Sequence, residues 1–195
     1  MDIAVNPPRD RASLLAALAK LHRDSTGYWN AFTDDEFFRP LGQAWSPSDN
    51  VRHLTKSIRP VAQALRLPRL VLRIAFGRAA GPSRSYAEMT DTYHAALDGG
   101  AKAGRFAPAP SPFPHDPAAR RAEIMAAREQ AASALDAAAA RWSDEALDRY
   151  RMPHPVLGKL TVREMLTFTL LHNLHHLHVV ERRRAEAAAP SPQPA

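Results

Sequence analysis

Four long stretches of the chain repeat apolar residues at intervals of three and four, the period of one face of an α-helix. The first runs from about Asp10 to Ala31 and carries Leu14, Leu15, Leu18, Leu21 and Tyr28. Pro7 and Pro8 precede it, and Asp10 is placed to cap it. The second opens at Ser46-Pro47-Ser48-Asp49, with Ser46 as N-cap and Pro47 at the first helical position. Val51, Leu54, Ile58, Val61 and Leu65 form its stripe, so the helix reaches Arg59 or continues, kinked, through Pro60 to Leu65. The third begins at Asp116-Pro117, is rich in alanine, and runs to about Arg141. The fourth opens on the capping box Thr161-Val-Arg-Glu164 and continues to about Ala187.

Between the second and third helices lies a connection of about 50 residues, far beyond the usual ~4–6. Within it, Leu70 to Phe76 is apolar with interleaved arginines, and Tyr86 to Leu97 has helical periodicity. Ala107 to Pro114 holds four prolines and must be extended. A short helical turn is expected from Ser143 to Leu147, and Tyr150 to Leu160, with Pro153, Pro155 and Gly158, reads as a loop. No segment alternates cleanly enough to predict a strand. The pattern predicts an all-α chain, most simply a four-helix bundle, as a single domain over residues 1–187 with a disordered proline-containing tail at 188–195.

Composition narrows the function more than the fold. There is no cysteine, which removes disulfides, thiolate metal sites and cysteine nucleophiles from consideration. No run approaches the ~18 apolar residues of a membrane span, and the first ten residues lack a signal pattern, so a soluble, cytoplasmic protein is expected. The net charge of +6 raises nucleic-acid binding as an option. The arginines are spread over the whole chain, however, and gather only at Arg66, Arg69, Arg73 and Arg78, which argues against it. That same arginine–apolar stretch could contact a partner or a membrane surface, or pack on the bundle.

Candidate chemistry sits in the histidines. At ~100° per residue, with Val162 at zero, His172 and His176 fall at ~280° and ~320°, on the core face of the fourth helix. His175 and His178, at ~220° and ~160°, lean toward solvent. Two inward imidazoles one turn apart need partners: a divalent metal or a hydrogen-bonded core pair would each serve, and the spacing does not choose. On the second helix His53 lies off the aliphatic stripe, beside Asn50 and Ser57. It reads as exposed surface or as a pocket wall. His154, between prolines, can reach a pocket rim. Phe168 and Leu171 fall off the core face of the fourth helix, at ~240° and ~180°, as a homodimer contact would.

Three motifs together carry a family resemblance. Trp45-Ser-Pro-Ser-Asp-Asn-Val-Arg-His53-Leu54, then His154-Pro-Val-Leu-Gly158 with Leu160-Thr-Val-Arg-Glu164, and His172-Asn-Leu-His-His176 resemble, in order and spacing, the DinB-like superfamily. Residues 66–140 resemble nothing specific, and Asn50 stands where the family is usually apolar. The resemblance implies a four-helix bundle with a long crossover between helices 2 and 3. It also implies a divalent metal, zinc or nickel, held by His53, His172 and His176. Three neutral histidines leave a coordination position open, as catalytic sites do.

Members of the family with known activity include S-transferases and isomerases that use low-molecular-weight thiols such as bacillithiol or mycothiol. The resemblance therefore implies an enzyme that joins a small-molecule substrate to a thiol cosubstrate. Arg52, Lys56 and Arg163 could pair with anionic groups, or be ordinary solvated surface. Metal-dependent hydrolysis and non-catalytic binding are the alternatives. Hydrolysis needs a general base, for which Asp49 is the best placed carboxylate, since Glu164 is expected on an outer face.

Overall fold

In the computed structural model, residues 5–188 are described. The expected tail at 188–195 lies outside them, apart from Ala188, which ends the last helix. Helix α1 (Arg11–Asn30) starts where Asp10 caps it, its carboxylate accepting from the Ser13 N–H at 2.7 Å. A short α2 (Asp34–Phe38) occupies the following connection. Helix α3 (Pro47–Arg66) is capped by Ser46 and continues without a break through Pro60. Ser46 Oγ accepts from the Asp49 N–H at 3.1 Å.

The long connection that follows contains α4 (Arg69–Phe76), α5 (Tyr86–Asp98) and a 3-10 turn (Gly104–Phe106). Residues 107–114 then carry no helix or strand. Helix α6 (Pro117–Ala139) is capped by Asp116, and α7 (Asp144–Arg149) by Ser143. Two strands, β1 (Arg151–His154) and β2 (Gly158–Thr161), precede α8 (Val162–Ala188). Among the described residues no helix is long and apolar enough to cross a membrane.

Helix α3 packs on α6 and α8, and α1 packs on the same two helices. Buried Ala131, Ala132, Ala138 and Ala139 leave little side chain between α6 and its neighbours, which lets α3 lie close against it. One apolar core joins these helices, with Leu18, Leu54, Leu135 and Leu166 all essentially inaccessible. Helix α5 and the hairpin add a further layer on α8.

Three sequence expectations fail. The stretch read as a loop is an antiparallel hairpin in which Met152 pairs with Leu160 and Pro153 with Lys159. Met152 and Leu160 are buried and Pro153 and Lys159 exposed, so the alternation exists, but the prolines and only four residues per strand hid it. Gly158 supplies the positive φ, +73°, that turns the chain into β2.

The second failure concerns α8. Leu171 is buried and Phe168 half-buried, not laid out as a dimer contact. The wheel assumed a helix covered along one stripe, whereas α5 and the hairpin cover a second side of α8.

Glu164 is a third correction. It is buried at the start of α8 and accepts from the Thr161 N–H at 2.9 Å, from the Arg84 N–H at 3.0 Å and from Arg84 Nε at 2.9 Å. Although burial by itself raises its pKa, these hydrogen bonds outweigh that and hold its carboxyl below the ordinary value. The side chain thus closes the helix cap and ties the crossover to α8. Glu164→Ala is expected to destabilise the fold by ~2 kcal/mol, from a lost cap and an unpaired guanidinium. In a chain of this size that corresponds to a melting temperature lower by about 4–8 °C, measurable by thermal denaturation.

Candidate metal centre

Capping of α3 at Ser46 sets the phase that turns Asn50 and His53, one turn apart, toward α8. The cap of α8 does the same for His172 and His176. The Nε2 atom of His172 stands 3.0 Å from His53 Nε2 and 3.1 Å from His176 Nε2. One ligand nitrogen from each of the three lies within 4.8 Å of the others. This is the one group of three or more potential ligands found among the described residues.

The outer nitrogens decide what the inner ones carry. His53 Nδ1 donates to the carbonyl of Phe106 at 2.9 Å. His176 Nδ1 donates to Asn50 Oδ1 at 2.7 Å. The Asn50 amide is oriented by its own Nδ2, which donates to the Ser46 carbonyl at 2.8 Å, so its oxygen is the atom left for His176. Both rings therefore present an unprotonated Nε2 to His172, whose Nε2 has at most one proton to share between them.

Burial favours the neutral form of all three rings. His53 is pushed below the ordinary histidine value by burial, with the nearby Lys56 charge adding to it against the Phe106 hydrogen bond. His172 and His176 are pushed well below it, first by burial and then by the neighbouring histidines. Neutral imidazoles with converging lone pairs suit a divalent cation. Two nitrogens bound tetrahedrally at ~2.0–2.1 Å stand about 3.3 Å apart, close to the spacing here.

The cluster opens into a cavity of about 370 Å³ between α3, α5, the 3-10 turn, the hairpin and α8. That volume is at the small end for a ligand pocket. Its wall beside the histidines is aromatic. Phe168 stacks on His172 with centroids 5.2 Å apart, Trp45 lies parallel to His176 at 6.2 Å, and the Tyr93 ring meets His172 edge-on at 6.2 Å. His154 packs against Phe168 at 4.2 Å and lines the cavity. Its Nδ1 accepts from the Leu157 N–H at 3.0 Å, and burial pushes it down to about 4, so it stays neutral. Lys102 and Arg105 line the cavity as well, and among the described residues no carboxylate does.

The remaining sequence candidates distribute unevenly. His53 is 3% exposed, because the 3-10 turn of the crossover lies over it, which a wheel of α3 alone does not contain. His175 lines the cavity outside the cluster, and His178 is exposed. Arg163 is engaged by Asp148 and Asp144. Arg52 pairs with Asp49 and donates to the Ala109 carbonyl, and Lys56 donates to the Ala107 carbonyl. These contacts strap residues 106–109 onto α3. Asp49 is occupied by Ser46 and Arg52.

Sequence reasoning missed the hydrogen bond by which Asn50 orients His176, the Phe106 carbonyl, and the aromatic wall. Asn50 carried a signal, an amide where apolar packing was expected. The Phe106 carbonyl carried none.

A family model described as the DinB superfamily matches residues 17–180, a span that includes all three histidines and the whole cavity. No curated protein and no solved structure matches the chain significantly.

Proposed function

We propose that this chain, which belongs to the DinB superfamily, holds a divalent metal ion through His53, His172 and His176 and is a metal-dependent enzyme that uses a low-molecular-weight thiol. The observation that carries the reading is the convergence of three Nε2 atoms at the wall of a cavity that, among the described residues, no carboxylate lines. A zinc or nickel ion there would supply Lewis acidity and a position for an anionic sulfur. The side chains do the rest. Asn50 and the Phe106 carbonyl fix two imidazole tautomers, and Phe168, Trp45 and Tyr93 pack around the histidine rings. Lys102 and Arg105 favour an anionic group on the incoming molecule.

The absence of carboxylates from the lining favours thiol transfer or isomerisation over hydrolysis. A hydrolase needs a general base near the attacked carbon. A thiol needs less help, since its ordinary pKa of ~8.5 leaves it easily ionised. The ring of contacts α3–α6–α1–α8 supports reading the fold as a four-helix bundle with the crossover between α3 and α6. We read residues 1–187 as one domain of that kind.

The test uses tag-free protein. Elemental analysis should find about one zinc or nickel per chain. Cobalt-substituted protein should then develop a sulfur-to-metal charge-transfer band on adding a small thiol, and no band with the matching alcohol. Bound metal with no thiol band, together with thiol-independent ester cleavage, would replace the transferase reading by the hydrolytic one. A folded protein that takes up no metal on loading would overturn both.

A further inference from the structure

Helix α4 is built inside out. At ~100° per residue, its inward residues Leu72 and Phe76 centre near ~320°, with Leu72 fully buried. Leu70, Val71 and Ile74 centre near ~150°, almost diametrically opposite. They are 54%, 45% and 75% exposed, and Leu67, just before the helix, is 44% exposed. A helix lying on a soluble core presents polar residues on that outermost face. Four of the six large exposed apolar side chains among the described residues fall in this one segment.

The charge along this stretch of the chain has one sign. From Asn50 to Ala87 the chain has eight basic residues, from Arg52 to Arg84, and no carboxylate. Arg69 and Arg73 lie on the shoulder of α4, at ~0° and ~40°. Arg69 donates to the Arg141 carbonyl and lies over the Trp142 ring. Arg66 and Arg73 are exposed and, among the described residues, take part in no ion pair. The neighbouring hairpin adds an exposed Val156 at its tip and an exposed Lys159.

We propose that α4 docks the protein on an anionic lipid surface, with Leu67, Leu70, Val71 and Ile74 entering the headgroup layer and Arg66 and Arg73 meeting lipid phosphates. An apolar outer face beside free arginines is the composition of an interfacial helix. A second copy of the chain is a poorer occupant, because two such faces would bring arginines against arginines. A nucleic acid would leave the outermost apolar residues without a partner. The inference is independent of the metal site.

Sedimentation of tag-free full-length protein with vesicles tests it. Binding is expected to vesicles containing phosphatidylglycerol, to weaken as salt is raised, and to be absent for phosphatidylcholine alone. Ile74→Asp and the pair Arg66→Gln with Arg73→Gln should each lower partitioning by about tenfold or more. Ile74 is too exposed for its replacement to disturb folding, which an unchanged far-ultraviolet circular dichroism spectrum would verify. No binding to the anionic vesicles, or equal binding by the variants, overturns the proposal. So does a dimer that Ile74→Asp converts to monomer, or arginine-dependent retention of duplex DNA in place of vesicles.

Discussion

Replacing His172 by alanine is expected to lower metal content from about one ion per chain to the background of an elemental analysis. His172 stands in the middle of the cluster: its Nε2 is the atom that both other Nε2 atoms approach, at 3.0 and 3.1 Å. Zinc sites with four protein ligands bind with an apparent ~10–16 kcal/mol, or roughly 3 kcal/mol per ligand. Losing one of three should therefore weaken binding more than about a hundredfold, since ~1.4 kcal/mol is a factor of ten. Competition against a chromophoric chelator would measure the loss. His178→Ala is the matched control, because that histidine is exposed on the same helix and should leave affinity unchanged. If His172→Ala keeps its metal and its affinity, the three-histidine centre is wrong.

Much of this cluster is legible in the sequence, and the reasons are local. His172 and His176 follow from the period of α8, since both fall beside Met165 and Thr169 on its buried face. The cap at Ser46-Pro47 fixes where α3 starts, and so which way His53 points. What the period could not deliver was anything set by the crossover. The burial of His53, the second covered face of α8 and the burial of Glu164 all depend on residues 84–106 lying over the helices. That segment resembled nothing by sequence, and its contacts are between residues 53 and 80 apart in the chain. Helical periodicity describes each helix against one partner layer, and here a second layer decides which outer-face residues are inside.

Asn50 shows how a departure from an expected pattern acquires a physical reason. An apolar residue at its position would pack equally well, but it would leave His176 Nδ1–H buried without an acceptor. In the structure the amide oxygen takes that proton at 2.7 Å, which holds the ring in the tautomer whose Nε2 lone pair faces the other two histidines. Asn50 is thus a positioning residue for the proposed metal centre. Asn50→Leu, close to it in size, is expected to weaken metal binding by about 10–100-fold while leaving the stoichiometry at saturation unchanged. The Ser46 carbonyl that Asn50 also engages keeps its bond from the residue-50 backbone N–H, so the start of α3 survives the change. Asn50→Asp should restore or exceed the original affinity, because a carboxylate accepts the same proton more strongly. A merely structural role would not follow that order. It would lower the melting temperature in both variants and leave the affinity alone. Nitrogen-15 NMR of the metal-loaded protein gives a second readout. The proton on His176 Nδ1 should be slow to exchange with solvent in the wild type and in Asn50→Asp, and fast in Asn50→Leu. Equal affinities in all three proteins would mean that the parallel Trp45 ring, 6.2 Å away, orients His176 without help.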